Sequence, residues 1–199
     1  HNNIVKVIGF VEDVEDGTAW VVLPWEKSGN LREFVASANW ELPERVALIY
    51  DVASGIQYLH NREPPICHGD LKSLNVLINS KNEAVITDFG SALGASGETI
   101  TLTAAQWTLR WAAPELLTGS DPDLASDIWA FGWICWEVMT GGFPFEGGND
   151  DVSVVVQIIQ GKLPPVHGDG RVDQVTALAN LMIDCWSLDP SKRPVATSC

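Results

Sequence analysis

The stretch at residues 125–142, ASDIWAFGWICWEVMTGG, constrains the fold more than any other part of the sequence. On a helical period its apolar residues fall on every side, and a helix without a polar face has to be covered by its neighbours. Ser126 and Asp127 stand at its start as capping candidates, and Gly141 and Gly142 end it. Trp129, Trp133 and Trp136 are accordingly read as core rather than as a binding face. The apolar run from Ile128 to Met139 is too short to cross a bilayer, so its cover comes from the same chain. At 199 residues the chain is long enough for one substantial core.

Several segments have the pattern needed to supply that cover. From Leu42, apolar residues recur at Val46, Ile49, Ala53, Ile56 and Leu59, a one-faced helical spacing with Pro43 in its first turn and a stop before Pro64 and Pro65. Leu31, Phe34 and Val35 mark a shorter helix, and VDQVTALANLMIDCW has helical periodicity. DDVSVVVQIIQG is valine-rich and locally compatible with a strand; its acidic start and Gly161 stop favour helix. Two hairpins complete the set. One joins VKVIGFVEDV to AWVVLPW around Asp16-Gly17; the other joins Asn75–Ile78 to Ala84–Thr87 through NSKNE. The expected class is α+β, with a little β at the front and mostly helix behind.

Charge and cysteine usage narrow the partners. A net charge of −14 repels nucleic acid and anionic membrane surfaces, so no nucleic-acid partner and no membrane insertion are expected. Cys67, Cys135, Cys185 and Cys199 lie far apart without a CxxC pair, which indicates neither a zinc site nor a disulfide framework. A reducing, cytoplasmic location follows. His60 and His167 read as surface residues and His68 as a core histidine.

The chemistry concentrates in HGDLKSLNVLIN, residues 68–79, and the DFG that follows the second hairpin. Asp70 and Asn75 flank a short loop, and the hairpin returns Asp88 to the same end. Carboxylate and amide oxygens of this kind suit Mg²⁺, whose remaining ligands a triphosphate supplies. Asp88 and Asn75 are the metal candidates. Asp70 is placed to orient or accept a hydroxyl proton, and Lys72 to bring positive charge to a transferred phosphoryl group. A lone DFG is weak, and Asp70 taken alone could be an ordinary loop or capping aspartate; the ordered set is specific.

That ordered set resembles the protein kinase superfamily. HGDLKSLN is similar to its catalytic loop, TDFG to its metal-binding motif, and WAAPE to the end of its activation segment. SDIWAFGWICWEVMTGGFPF resembles the central buried helix and its exit, and CWSLDPSKRP the last helical region. The pattern is most like the tyrosine-kinase-like branch. The resemblance implies a protein-kinase-like fold, with residues 1–26 as a partial small lobe ending in the hinge and 27–199 as the helical large lobe. It implies ATP and Mg²⁺ as cofactors and a protein substrate or signalling partner. Lys72 and Thr108 match the serine/threonine pattern, in which they seat the acceptor hydroxyl. Leu23 falls at the gatekeeper position, Pro24 and Glu26 at the adenine-binding hinge, and Leu77 under the base. Val7, His68 and Phe89 resemble the hydrophobic stack that connects the lobes, Asp127 the anchor of the catalytic-loop backbone, and Glu115 with Arg193 the ion pair that ties down the activation segment.

The sequence also departs from the pattern. Gly69 stands where many members carry an arginine that pairs with a phosphate on the activation segment, so phosphorylation between Asp88 and Glu115, at residues such as Thr99, Thr101 or Thr103, is expected to matter less. The Gly-rich loop, strand lysine and helix glutamate of the family have no counterpart in the 199 residues, and Lys6 lies past the position of that lysine. The expectation is an N-terminally incomplete kinase domain, inactive as the isolated chain. A pseudokinase or kinase-like binding module, or more distantly an all-α scaffold, is the competing reading.

Overall fold

Among the described residues, 1–92, 108–147, 150–166 and 175–199, the computed structural model holds two antiparallel hairpins and six α-helices. Strand β1 (Gly9–Asp13) pairs with β2 (Thr18–Val22), and β3 (Val76–Ile78) with β4 (Ala84–Ile86). The helices are α1 (Leu31–Ser37), α2 (Leu42–His60), the single turn α3 (Pro114–Leu117), α4 (Leu124–Thr140), α5 (Asp151–Ile159) and α6 (Thr176–Cys185).

Helix α4 is buried on nearly every side, as its composition requires; Trp129, Phe131, Trp133 and Ile134 are all sealed from solvent. Its cap differs from the expected one. Asp123 is the N-cap, its carboxylate accepting the Ser126 N–H at 2.8 Å while Ser126 Oγ accepts the Asp123 N–H at 3.1 Å. This reciprocal box leaves Asp127 unused by the cap and available to other partners. Gly141, at φ 73°, closes the other end in the left-handed conformation that favours glycine. Gly132 sets the approach of α6: a Cβ there would lie 2.8 Å from both Cys185 Cβ and the Trp186 indole nitrogen. Trp186 thereby packs on Trp133 with ring centroids 4.7 Å apart.

Helix α2 buries Leu48, Ile49, Val52, Ile56 and Leu59 against α4 and β4. Val46, expected on this face, lies at its exposed rim. The buried stripe is centred on Leu48, Val52 and Ile56, and Arg45 occupies its edge, donating to the carbonyls of Trp40 and Val138. The missing Cβ of Gly55 lets the first residues lie flat on α2, with the Asn3 carbonyl oxygen 2.8 Å from where that Cβ would stand. Asn3 and Val5 bond Ile86 across the free edge of β4, at 2.9 and 2.8 Å. The chain thus begins on the helical body before turning out into the β1–β2 hairpin, where Phe10, Trp20 and Val21 are exposed.

Helix α5 settles the valine-rich segment. The Asp150 carboxylate caps it by accepting the Ser153 N–H at 2.7 Å, and Gly161 at φ 63° ends it. Val154 and Ile158 face the core, so capping and one-sided burial outweigh strand propensity. Of the segment expected as the last helix, residues 172–174 lie outside the described residues, as do Thr99, Thr101, Thr103 and His167.

Arg193 locks the lower end of the body. Its guanidinium meets both Glu115 oxygens, at 2.5 and 2.8 Å, and also donates to the carbonyls of Ser187 at 2.9 Å and Ala125 at 3.0 Å. The arginine is fully enclosed and the carboxylate mostly so. Arg193→Ala leaves that carboxylate and two carbonyls unpaired, and is expected to lower stability by about 3–5 kcal/mol in chemical or thermal unfolding. Unchanged unfolding would show that the pair is not a structural tie.

Candidate active site

The loop that carries Asp70 is shaped by two buried groups on either side of it. From below, Asp127 Oδ2 accepts the His68 N–H at 2.8 Å and Oδ1 accepts the Gly69 N–H at 3.0 Å. From behind, the His68 ring, wholly buried, bonds the Thr87 carbonyl through Nε2 at 2.9 Å. Its Nδ1 accepts the Asp70 N–H at 3.3 Å, so the proton of the neutral ring is on Nε2. The same ring lies 5.0 Å from that of Phe89. Gly69, between the two held residues, has φ 77°, where a side chain is strained. His60 joins this arrangement and corrects its reading as a surface residue: Nε2 sits 2.9 Å from Asp127 Oδ2, with the imidazole 7% exposed. The one-faced pattern of α2 gave no signal for it, because its partner is 67 residues away.

Held this way, Asp70 gathers the other loop side chains. Its Oδ2 accepts from Lys72 Nζ at 2.7 Å and from Asn75 Nδ2 at 3.0 Å, and Asn75 Nδ2 also reaches the Asp70 carbonyl at 2.9 Å. Oδ1 is buried with no partner. An unmatched carboxylate oxygen beside a cation is costly in a structural role and useful where a hydroxyl has to be received. A cavity of about 30 Å³ separates Asp70 from Trp111 and Ala112, so the end of the segment that carries WAAPE is adjacent.

Asp88 follows Thr87, whose N–H bonds the Asn75 carbonyl at 2.9 Å, so the β3–β4 hairpin brings Asn75 and Asp88 to one end. Asp88 is exposed and left-handed, φ 62° and ψ 66°, a conformation that aspartate tolerates. Asn75 spends its amide nitrogen on Asp70, which leaves its amide oxygen as the end open to a cation. One carboxylate and one amide oxygen fit a hard divalent ion that keeps water and phosphate oxygens as its other ligands. Among the described residues no cluster of three His, Cys, Asp or Glu forms a self-sufficient cage. Leu23, Pro24 and Glu26 are half-buried in the connection after β2. A bridge from Asn30 to Leu77 and the Ile78 N–H bond to the Gly29 carbonyl at 3.0 Å attach that connection to β3.

Two residues of the expected set are not brought in. Val7 is 56% exposed, because no element among the described residues covers that side of the β1–β2 hairpin, so it does not join the His68–Phe89 contact. Thr108 opens the turn Thr108–Trp111, and its side chain lies outside the described part.

Glu137 was not anticipated, although a carboxylate inside an otherwise apolar helix was a signal. It is buried on α4, its Oε2 accepting Ser73 Oγ–H at 2.7 Å and its Oε1 the Trp111 indole N–H at 2.7 Å, with Arg32 at 3.5 Å. It therefore joins Ser73, in the loop after Asp70, to the turn that opens WAAPE. Burial pushes its pKa up from 4.5 to about 7 against the pull of those donors. Between these values the unfolded chain ionises while the folded one keeps its proton, so this carboxyl stabilises the fold fully below pH 4.5 and the contribution is lost as pH rises to about 7. At about 1.4 kcal/mol per unit the loss is on the order of 3 kcal/mol. Glu137→Gln is expected to remove that slope from the pH dependence of unfolding; an identical slope in the variant would rule the assignment out.

Comparison with known proteins bears on this geometry as a whole. A family model described as protein tyrosine and serine/threonine kinase matches residues 1–199. The serine/threonine-protein kinase CTR1 of Arabidopsis thaliana is 34% identical over 98% of this chain, which covers 23% of that protein. The tyrosine-protein kinase transforming protein Abl of Abelson murine leukemia virus is 29% identical over 98% of the chain and 26% of its own length. Cyclic GMP-binding protein C of Dictyostelium discoideum is 30% identical over the whole chain, which covers 8% of it. The chain thus spans a quarter or less of the length of several curated relatives it matches. With the helical body, the two small hairpins and the loop all matched, the chain belongs to the protein tyrosine and serine/threonine kinase family.

Proposed function

We propose that the chain provides the catalytic loop, hinge and activation-segment end of a cytoplasmic kinase that transfers the ATP γ-phosphoryl group to serine or threonine of a protein. The observation that carries this reading is the Asp70 carboxylate. Lys72 and Asn75 hold one oxygen, the other is buried and unpartnered, and Asp70 shares a small cavity with Trp111 and Ala112.

In this reading Asp70 Oδ1 receives the hydrogen of the acceptor hydroxyl and aligns its oxygen for attack, which is chiefly a positioning task. Lys72, already 2.7 Å from Asp70, holds positive charge beside that carboxylate, where the transferred group arrives. Asn75 and Asp88 would hold Mg²⁺, which would supply positive charge to the phosphates of ATP. Pro24 offers a carbonyl and Glu26 a backbone N–H to adenine; a proline suits a position that only accepts. Leu77, bridged to the hinge connection, lies under the base. Residues 1–26 then belong to the small lobe and 27–199 to the large one. Free thiols at all four cysteines support the reducing compartment. No helix among the described residues is long and apolar enough to cross a membrane. The exposed Phe10, Trp20 and Trp25 favour the second reading, a kinase-like binding module without turnover.

The two readings separate in the protein as expressed in full from its gene. Asp70→Asn is expected to lower phosphoryl transfer from radiolabelled ATP to a serine/threonine substrate by about a hundred- to ten-thousandfold, with unchanged circular dichroism. Transfer at the unmodified rate in Asp70→Asn would overturn the assignment, and no transfer in either protein would favour the binding module.

A further inference from the structure

Between the end of α4 and the end of α5 the chain leaves a cavity of about 530 Å³ that the proposed chemistry does not use. Four aromatic side chains wall it: Trp133 and Trp136 of α4, and Phe143 and Phe145 of the exit that follows. The Trp133 ring lies 4.7 Å from that of Phe145 and 5.9 Å from that of Trp136, the two indoles being nearly perpendicular at 82°. The wall is held in place by the chain itself. Arg110 donates to the Pro144 and Phe145 carbonyls at 2.8 and 2.7 Å, and Phe145 stands at φ 54°, a conformation that a bulky residue keeps only when its surroundings impose it. Gly142 makes room for Trp136, since a Cβ there would run into the indole ring. A preformed, mostly apolar hollow of this size is what a small organic molecule needs.

The polar groups of the same side chains say what such a molecule carries. The indole N–H groups of Trp133 and Trp136 are both buried and both without an acceptor. An indole nitrogen only donates, so what is missing at this wall is an acceptor, and an unmatched buried donor is costly. Lys162 and Gln157 complete the lining, with Lys162 exposed at the rim. Trp129 and Trp186 also have unmatched indole N–H groups, but neither lines the cavity. We propose that this cavity binds a small aromatic carboxylate, with its ring against Trp133, Trp136 and Phe145, its carboxylate accepting from the indole N–H groups, and Lys162 supplying positive charge at the mouth.

An aromatic wall also attracts cations, and Glu146, exposed at the rim, would favour one. Two observations decide for the anion. The guanidiniums of Arg32 and Arg110 already lie against Phe143, 4.0 and 5.1 Å from its centroid, so that ring is engaged by cations of the chain itself. The two indole donors have nothing to offer an ammonium group, whereas a carboxylate accepts from both, and hydrogen bonds to an ionised acceptor are the stronger kind. Offset or edge-on contact with the perpendicular indoles suits a flat ring rather than a branched aliphatic chain. None of this depends on the proposed kinase activity.

The test uses para-benzoylbenzoate, an aromatic carboxylate that inserts into neighbouring C–H bonds under near-ultraviolet light, on the protein as expressed in full from its gene, with labelled peptides mapped by mass spectrometry. Expected is saturable labelling within residues 143–146 or 157–164, suppressed by excess naphthoate. The cationic counterpart, para-(aminomethyl)benzophenone, should label the same peptides at least about fivefold less at equal concentration. Lys162→Ala, an exposed position, should lower labelling by the carboxylate about two- to fivefold without affecting the fold. Leu163→Trp, at a rim position 38% exposed, places a larger ring in the cavity and should abolish labelling there. The proposal is overturned if these peptides are not labelled, if naphthoate fails to protect them, if the ammonium probe labels them as well as the carboxylate, or if neither Lys162→Ala nor Leu163→Trp lowers the labelling.

Discussion

The Asp127 carboxylate, in the first turn of the buried helix, is the point on which the loop carrying Asp70 depends. Both of its oxygens are committed: one to the His68 N–H and the His60 ring, the other to the Gly69 N–H. A charge 2% exposed is tolerable only when it is met by several donors, and here the donors are the backbone of the loop itself. The conformation of the loop is therefore a consequence of satisfying Asp127. With His68 and Gly69 fixed, the Asp70 side chain is delivered to Lys72 and Asn75, and the His68 ring to Thr87 at the base of Asp88.

Helix α4 distributes such ties along its length. Asp127 holds the loop at one level, and Glu137 holds Ser73 and Trp111 nearly three turns later. Arg193 reaches the carbonyl of Ala125 just before them while clamping Glu115. A helix that is otherwise apolar supplies the rigidity, and its few polar groups place the surrounding loops. The cost of burying Glu137 appears in its raised pKa, which makes the tie between Ser73 and Trp111 sensitive to pH near neutrality.

Much of this was legible in local pattern. The hairpin at Asp16-Gly17, the burial of α4 and the meeting of Asp70, Lys72 and Asn75 involve neighbours within a few residues, where spacing carries information. What escaped the sequence depends on distant partners. From local pattern Asp127 reads as a cap, and its role as anchor of the loop backbone came only from the family resemblance; Asp123 takes the cap and frees the Asp127 carboxylate for residues about 60 positions earlier. His60 and Val46 exchange their expected environments for the same reason: the contact that buries one and leaves the other at a rim is made by another element. Val7 fails to stack because packing needs a second surface, and none among the described residues lies over it.

The central claim is that Asp127 sets the loop. Amide hydrogen exchange in Asp127→Ala tests it most directly, since its two backbone bonds are individually observable. The account expects the His68 and Gly69 amides to exchange about a hundredfold faster than in the unaltered protein, while amides in the middle of α2 keep their protection. Unchanged exchange at His68 and Gly69, or an equal acceleration everywhere, would contradict it.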